Sequence, residues 1–69
     1  MIKNRLLEIR LQMGYKYQHE FANLLGVHKY QYSRYENNLV QPSLEVMYKI
    51  AKKIGKPIEE IIYDHEQES

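Results

Sequence analysis

Apolar positions recur at helical spacing along most of this chain. Ile2, Leu6, Ile9 and Met13 fall three or four residues apart and Gly14 follows as a stop, which predicts a first helix of about twelve residues. A second helix is expected from Gln18 to Leu25, with Phe21 and Leu25 bracketing the small Ala22, and Gly26 at its end. Val27, Tyr32 and Tyr35 share a face across a third helix from Lys29 to Glu36, which sends Lys29, Tyr30, Ser33 and Arg34 outward. Ser43, after Pro42, predicts the N-cap of a fourth helix with Glu45 in its first turn. Leu44, Met47, Ile50, Ala51 and Ile54 carry that helical period up to Gly55. Pro57 opens a short fifth helix, with Glu59 and Glu60 near its positive end and Ile58, Ile61 and Ile62 as its apolar side chains. No segment alternates at period two for long enough to predict a strand. The run YQYSRY does so superficially, but as a strand it would leave Val27 and Tyr35 without a common face. The expected class is all-α, five helices joined by short connections.

The stretch from Gln18 to Asn37 has the form of a helix-turn-helix. Ala22 allows a second helix to cross close to the first, and Gly26 can take the left-handed conformation that redirects the chain. This joint pattern of spacing and residue class points to DNA. Charge agrees once it is divided along the chain. Residues 1–56 hold all ten Lys and Arg against four acids (Glu8, Glu20, Glu36, Glu45), ten less four giving +6, while residues 57–69 carry five acids and no base. The body is basic and the tail acidic, as suits a polyanion-binding surface with the tail kept off it.

A chain of 69 residues makes one domain, and at this size about 60% of the unfolded surface is buried. With no cysteine, disulfides and thiolate metal sites are excluded. No apolar run approaches the roughly 20 residues needed to cross a bilayer, so a soluble, cytoplasmic protein of bacterial or phage origin is expected, with no membrane partner. His19, His28 and His65 have no ligand-pair spacing, and no nucleophile lies beside a plausible base. Neither metal, cofactor nor enzymatic activity is expected. Seven tyrosines could suggest stacking on single strands. Tyr32 and Tyr35 are better placed in a core, Tyr48 a helical step from Leu44 and Ala51, and Tyr15, Tyr17 and Tyr63 at helix ends.

Arg10 before Gly14, Gln18 opening the second helix, the turn LLGV (Leu24 to Val27), the run SRYENN (Ser33 to Asn38) and PSLEVMYKIAKKIG (Pro42 to Gly55) together closely resemble the Cro/C1-type helix-turn-helix domain of phage repressors and bacterial regulators. The resemblance implies a compact five-helix, lambda-repressor-like domain over residues 1–63, with 64–69 a short acidic tail expected to be disordered. It further implies a dimer that inserts the third helix into the major groove of double-stranded DNA. Carried over by position, Lys29, Tyr30 and Arg34 are the base-reading candidates, with Gln31 held in reserve. Gln18, Gln31, Ser33, Asn37 and Asn38 are candidates for backbone contact or support, and Arg10 with Glu36 for a charged pair tying the first helix to the end of the third. Tyr17 stands where Ser or Thr is usual as N-cap, His28 takes the cap before the third helix, and Asn38 replaces a common Gly. Asn tolerates the left-handed turn better than most residues. Ile58, Ile62 and Tyr63 are dimer candidates, because the fifth helix has more apolar side chains than one core needs. The function expected is a sequence-specific repressor on a pseudo-palindromic operator. The rival is an antitoxin-like interaction protein with an unidentified protein partner and autoregulatory DNA binding.

Overall fold

The computed structural model describes residues 1–68. In chain order the elements are β1 (Ile2–Asn4), α1 (Leu6–Gln12), α2 (Gln18–Leu25), α3 (Lys29–Glu36), α4 (Leu44–Ile54), α5 (Ile58–Ile61), β2 (Ile62–Asp64) and a last helical turn, α6 (His65–Glu68). Five helices build the body, as the periodicity implies. Leu6, Phe21, Tyr32, Ile50 and Ile61 are the largest fully buried side chains, one from each of α1 to α5. The Phe21 and Tyr32 rings meet edge to face at 5.7 Å, and Tyr15 tilts onto Phe21 at 5.2 Å. These contacts seal the crossing of α2 and α3.

Two features depart from the sequence pattern. The first helix does not begin at Ile2; Ile2–Asn4 is a strand, paired antiparallel with β2 so that Ile2 faces Asp64, Lys3 faces Tyr63 and Asn4 faces Ile62. Asn4 explains the boundary. Its Oδ1 accepts the Leu6 N–H at 3.1 Å, a local bond that competes with helix and moves the start of α1 to Leu6. Arg5 N–H then donates to the Ile61 carbonyl at 2.7 Å, which locks β1 beside the α5–β2 junction. The second departure is in α4, where Met47, Ile50 and Ala51 are buried but Leu44 and Tyr48, on the same helical row, are exposed. Leu44 is the first residue after the Ser43 cap and overhangs the end of the core. Tyr48 instead lies under the Lys52 ammonium, 5.4 Å from its ring centre.

Turn chemistry is consistent with the local geometry. Gly26 and Gly55 end α2 and α4 with φ of 73° and 71°, values that a side chain disfavours. Asn38 is the one non-glycine residue with positive φ among the described residues, at 59°. Ser43 accepts the Val46 N–H at 3.2 Å, and His28 Nδ1 accepts the Tyr30 N–H at 3.3 Å. Among the described residues no helix is long and apolar enough to cross a membrane.

Candidate nucleic-acid interface

Helix α3 is divided by its own period. Tyr32, Tyr35 and Glu36 turn inward and are buried, while Lys29, Tyr30 and Arg34 are exposed and Gln31 and Ser33 half-buried. Lys29 Nζ rests 5.2 Å from the Tyr30 ring centre, so these two side chains form one cationic, flat surface at the start of the helix. Arg34 lies on the last turn of the same helix. Its neighbour Glu36 is the only acid of α3 and is turned into the protein, which leaves the outward face of the helix positive.

Glu36 is where three elements meet. Arg10 Nε donates to Glu36 Oε2 at 2.9 Å and Arg10 Nη2 to Glu36 Oε1 at 3.2 Å, a bidentate bridge from α1 to α3 with both residues less than a tenth exposed. The remaining guanidinium nitrogen, Nη1, donates to the Tyr15 carbonyl at 3.0 Å and the Lys16 carbonyl at 2.6 Å. The loop before α2 is therefore held by the same arginine. Gln18 Nε2 donates to Glu36 Oε1 at 2.9 Å and completes the link from the first residue of α2 to the last of α3. The Tyr32 hydroxyl is buried beside this cluster and has no partner at hydrogen-bonding geometry among the described residues.

Burial pushes the Glu36 carboxyl up, but the Arg10 donors, the nearby Tyr32 and Gln18 side chains and the Arg10 charge outweigh it and hold it below its ordinary 4.5. Burial and the Glu36 carboxylate push the Tyr32 phenol above its ordinary 10.0. The signs are opposite in consequence. A carboxyl lowered in the folded state contributes stability above its unfolded pKa, and that is lost as pH falls through the folded value. A phenol raised in the folded state contributes stability that is lost as pH climbs past its unfolded value. Urea midpoints should therefore hold steady near neutrality, drop as pH falls below 4.5, and drop again above 10. In Glu36→Gln the acid limb should flatten. An acid limb as steep in that variant as in the wild type would assign the sensitivity to other carboxylates.

Between the starts of α2 and α3 lies a small cleft lined by Lys16, Gln18, His19, Lys29, Tyr30 and Ser33. Tyr17 gives α2 no side-chain cap, so the first N–H groups of that helix remain open to an oxyanion. Lys16 and His19 join this cleft although neither matches a position that the helix-turn-helix pattern marks. The signal for Lys16 in the sequence is a base one residue before Tyr17, the N-cap position that lacks a capping side chain. Asn37 is exposed, its Nδ2 donating to the Ser33 carbonyl at 2.9 Å and to Ser33 Oγ at 3.3 Å, which ties both residues to the end of α3. The N–H groups of Asn37, Asn38 and Leu39 are bonded to the carbonyls of Ser33, Tyr35 and Arg34. The dimer candidates belong to α5 and β2. Ile58 and Ile62 are half-buried against the core, and the Tyr63 ring sits beneath the Arg5 guanidinium at 4.2 Å.

Two crossed helices with a left-handed glycine between them, presenting a basic outward face on the second, define a helix-turn-helix module of the Cro/C1 type. A family model described as helix-turn-helix matches residues 6–61, and the chain belongs to that family. Over 66 residues the chain is 36% identical to the cryptic phage CTXphi transcriptional repressor RstR of Vibrio cholerae, a match covering 96% of this chain. The same match spans 59% of that relative's length.

Proposed function

We propose that the protein is a sequence-specific, double-stranded DNA-binding transcriptional regulator without enzymatic activity, acting in the cytoplasm as a dimeric repressor. The observation that carries this reading is the division of α3, with Tyr32 and Tyr35 buried in the core and Lys29, Tyr30 and Arg34 left to face outward. Kinship with a transcriptional repressor supports it. In this reading α3 enters the major groove, Arg34 reads a guanine edge, Lys29 and Tyr30 read or flank the next bases, and the cleft at the start of α2 holds a phosphate.

Dimerisation is assigned to the side of the molecule carrying α5 and β2. Ile58 lines a shallow, mainly apolar cleft of about 460 Å³ with Tyr48, Ala51 and Pro57, and Ile62 and Tyr63 follow in β2. Selection of bound duplexes from a random pool should return an inverted repeat, with half-sites about 10 base pairs apart. Sedimentation should show association that Ile58→Asp weakens. A pool with no enriched sequence removes the reading, and an enriched single half-site bound by a strict monomer removes the dimer.

A further inference from the structure

Outside the segment matched by the family, β1 carries Asn4, a polar side chain only 6% exposed, at the centre of a network that reaches the end of α3. Asn4 Nδ2 donates to the Tyr35 carbonyl at 2.7 Å and to Gln41 Oε1 at 2.8 Å. Gln41 Nε2 in turn donates to Asn38 Oδ1 at 2.9 Å, and the Asn4 N–H donates to that same oxygen at 2.9 Å. Both ends of this chain are backbone groups of fixed polarity: the Tyr35 carbonyl can only accept, and the N–H groups of Asn4 and Leu6 can only donate. Every carboxamide between them is therefore oriented. Asn4 turns its oxygen to Leu6 and its nitrogen to Tyr35 and Gln41. Gln41 turns its nitrogen to Asn38, and Asn38, with its oxygen occupied twice, is left with Nδ2 as the end that has no acceptor among the described residues.

We propose that Asn4 and Gln41 are positioning residues for DNA binding, orienting the half-buried Asn38 so that its Nδ2 donates to a backbone phosphate just beyond α3. This rests on the reading of α3 as the DNA-contacting helix, since Asn38 lies two residues past its end. The left-handed turn alone would be served by glycine. An asparagine at φ 59° satisfies the turn and also presents a donor, and the buried carboxamide behind it fixes which end of that donor faces out. The β1–β2 pairing places Asn4 where it can do this.

Asn38→Gly separates turn from donor, because glycine keeps the backbone conformation and removes the carboxamide. Affinity should be measured at several salt concentrations on the duplex recovered by selection and on an unrelated duplex, with thermal melts to choose a temperature at which every variant is folded. Asn38→Gly, Gln41→Met and Asn4→Ala should each weaken binding about tenfold on both duplexes. The salt slope should stay unchanged, because a neutral donor displaces no counterion. In the Asn38→Gly background, Asn4→Ala should cause no further loss. A folded Asn38→Gly protein that binds like wild type overturns the proposal, as does an Asn4→Ala loss of the same size in both backgrounds, which is what a general loosening of the fold would give. Wild-type protein that binds neither duplex overturns the α3 reading itself, and this proposal with it.

Discussion

Glu36→Ala is expected to destabilise the fold by about 3 to 5 kcal/mol, because it leaves the buried Arg10 guanidinium without its counter-charge. A domain of this size has a total stability of about 3 to 10 kcal/mol, so the variant should melt tens of degrees lower or be largely unfolded at room temperature. The effect is large because the pair is not an ordinary surface bridge. The Arg10 and Glu36 side chains are 8% and 5% exposed, and the same two groups also hold the Tyr15–Lys16 loop and Gln18. Loss of the carboxylate therefore removes the Gln18 link between α2 and α3 and unanchors the arginine that holds the loop before α2. Replacing both partners by apolar residues of similar volume, as in Arg10→Met with Glu36→Leu, should recover much of the loss, since no charge is then stranded. Thermal and urea unfolding of the three proteins measure this directly. A Glu36→Ala protein that melts within a degree of wild type would show that the bridge adds nothing.

The helix-turn-helix was legible because its constraints are local. Ala22, Gly26, Tyr32 and Tyr35 lie within fourteen residues, and each position tolerates few residue types, so spacing alone locates the crossing and the face that remains outward. The β1–β2 clip was hidden for the opposite reason. Each strand is three residues long, too short to show alternation, and its partner lies some sixty positions away, where no pattern in either segment announces the other. Ile2 happens to fit the helical period of α1, and the decisive residue, Asn4, acts through a buried carboxamide that periodicity does not register. Leu44 misled in a similar way. Its spacing is helical, but at the first position of α4 it extends past the end of the core it was expected to enter. Arg10 and Glu36 carry no periodic signal as charges, and only resemblance to a family placed them together.

At the interface, the largest change in specificity is expected from Arg34→Ala. An arginine that donates twice to guanine O6 and N7 contributes about 1 to 3 kcal/mol of discrimination, so its loss should relax preference at one base pair in each half-site and leave the other positions intact. Lys29→Ala should behave differently if the ammonium meets phosphate. Lys29 is exposed and extends over Tyr30, which places its charge at the rim of the helix start beside the cleft shared with Lys16 and Gln18. Its removal should then lower the slope of log affinity against log salt by about 0.9 per contact, with base preference retained. Gln18→Ala should weaken all duplexes alike, and because Gln18 also donates to Glu36 it should lower the melting temperature, whereas Arg34→Ala should not. Affinities for the selected operator and its single-base variants, taken at several salt concentrations, separate the three effects. If Arg34→Ala leaves discrimination unchanged at every position, the reading side chains lie elsewhere on α3, and Tyr30 with Gln31 becomes the pair to substitute next.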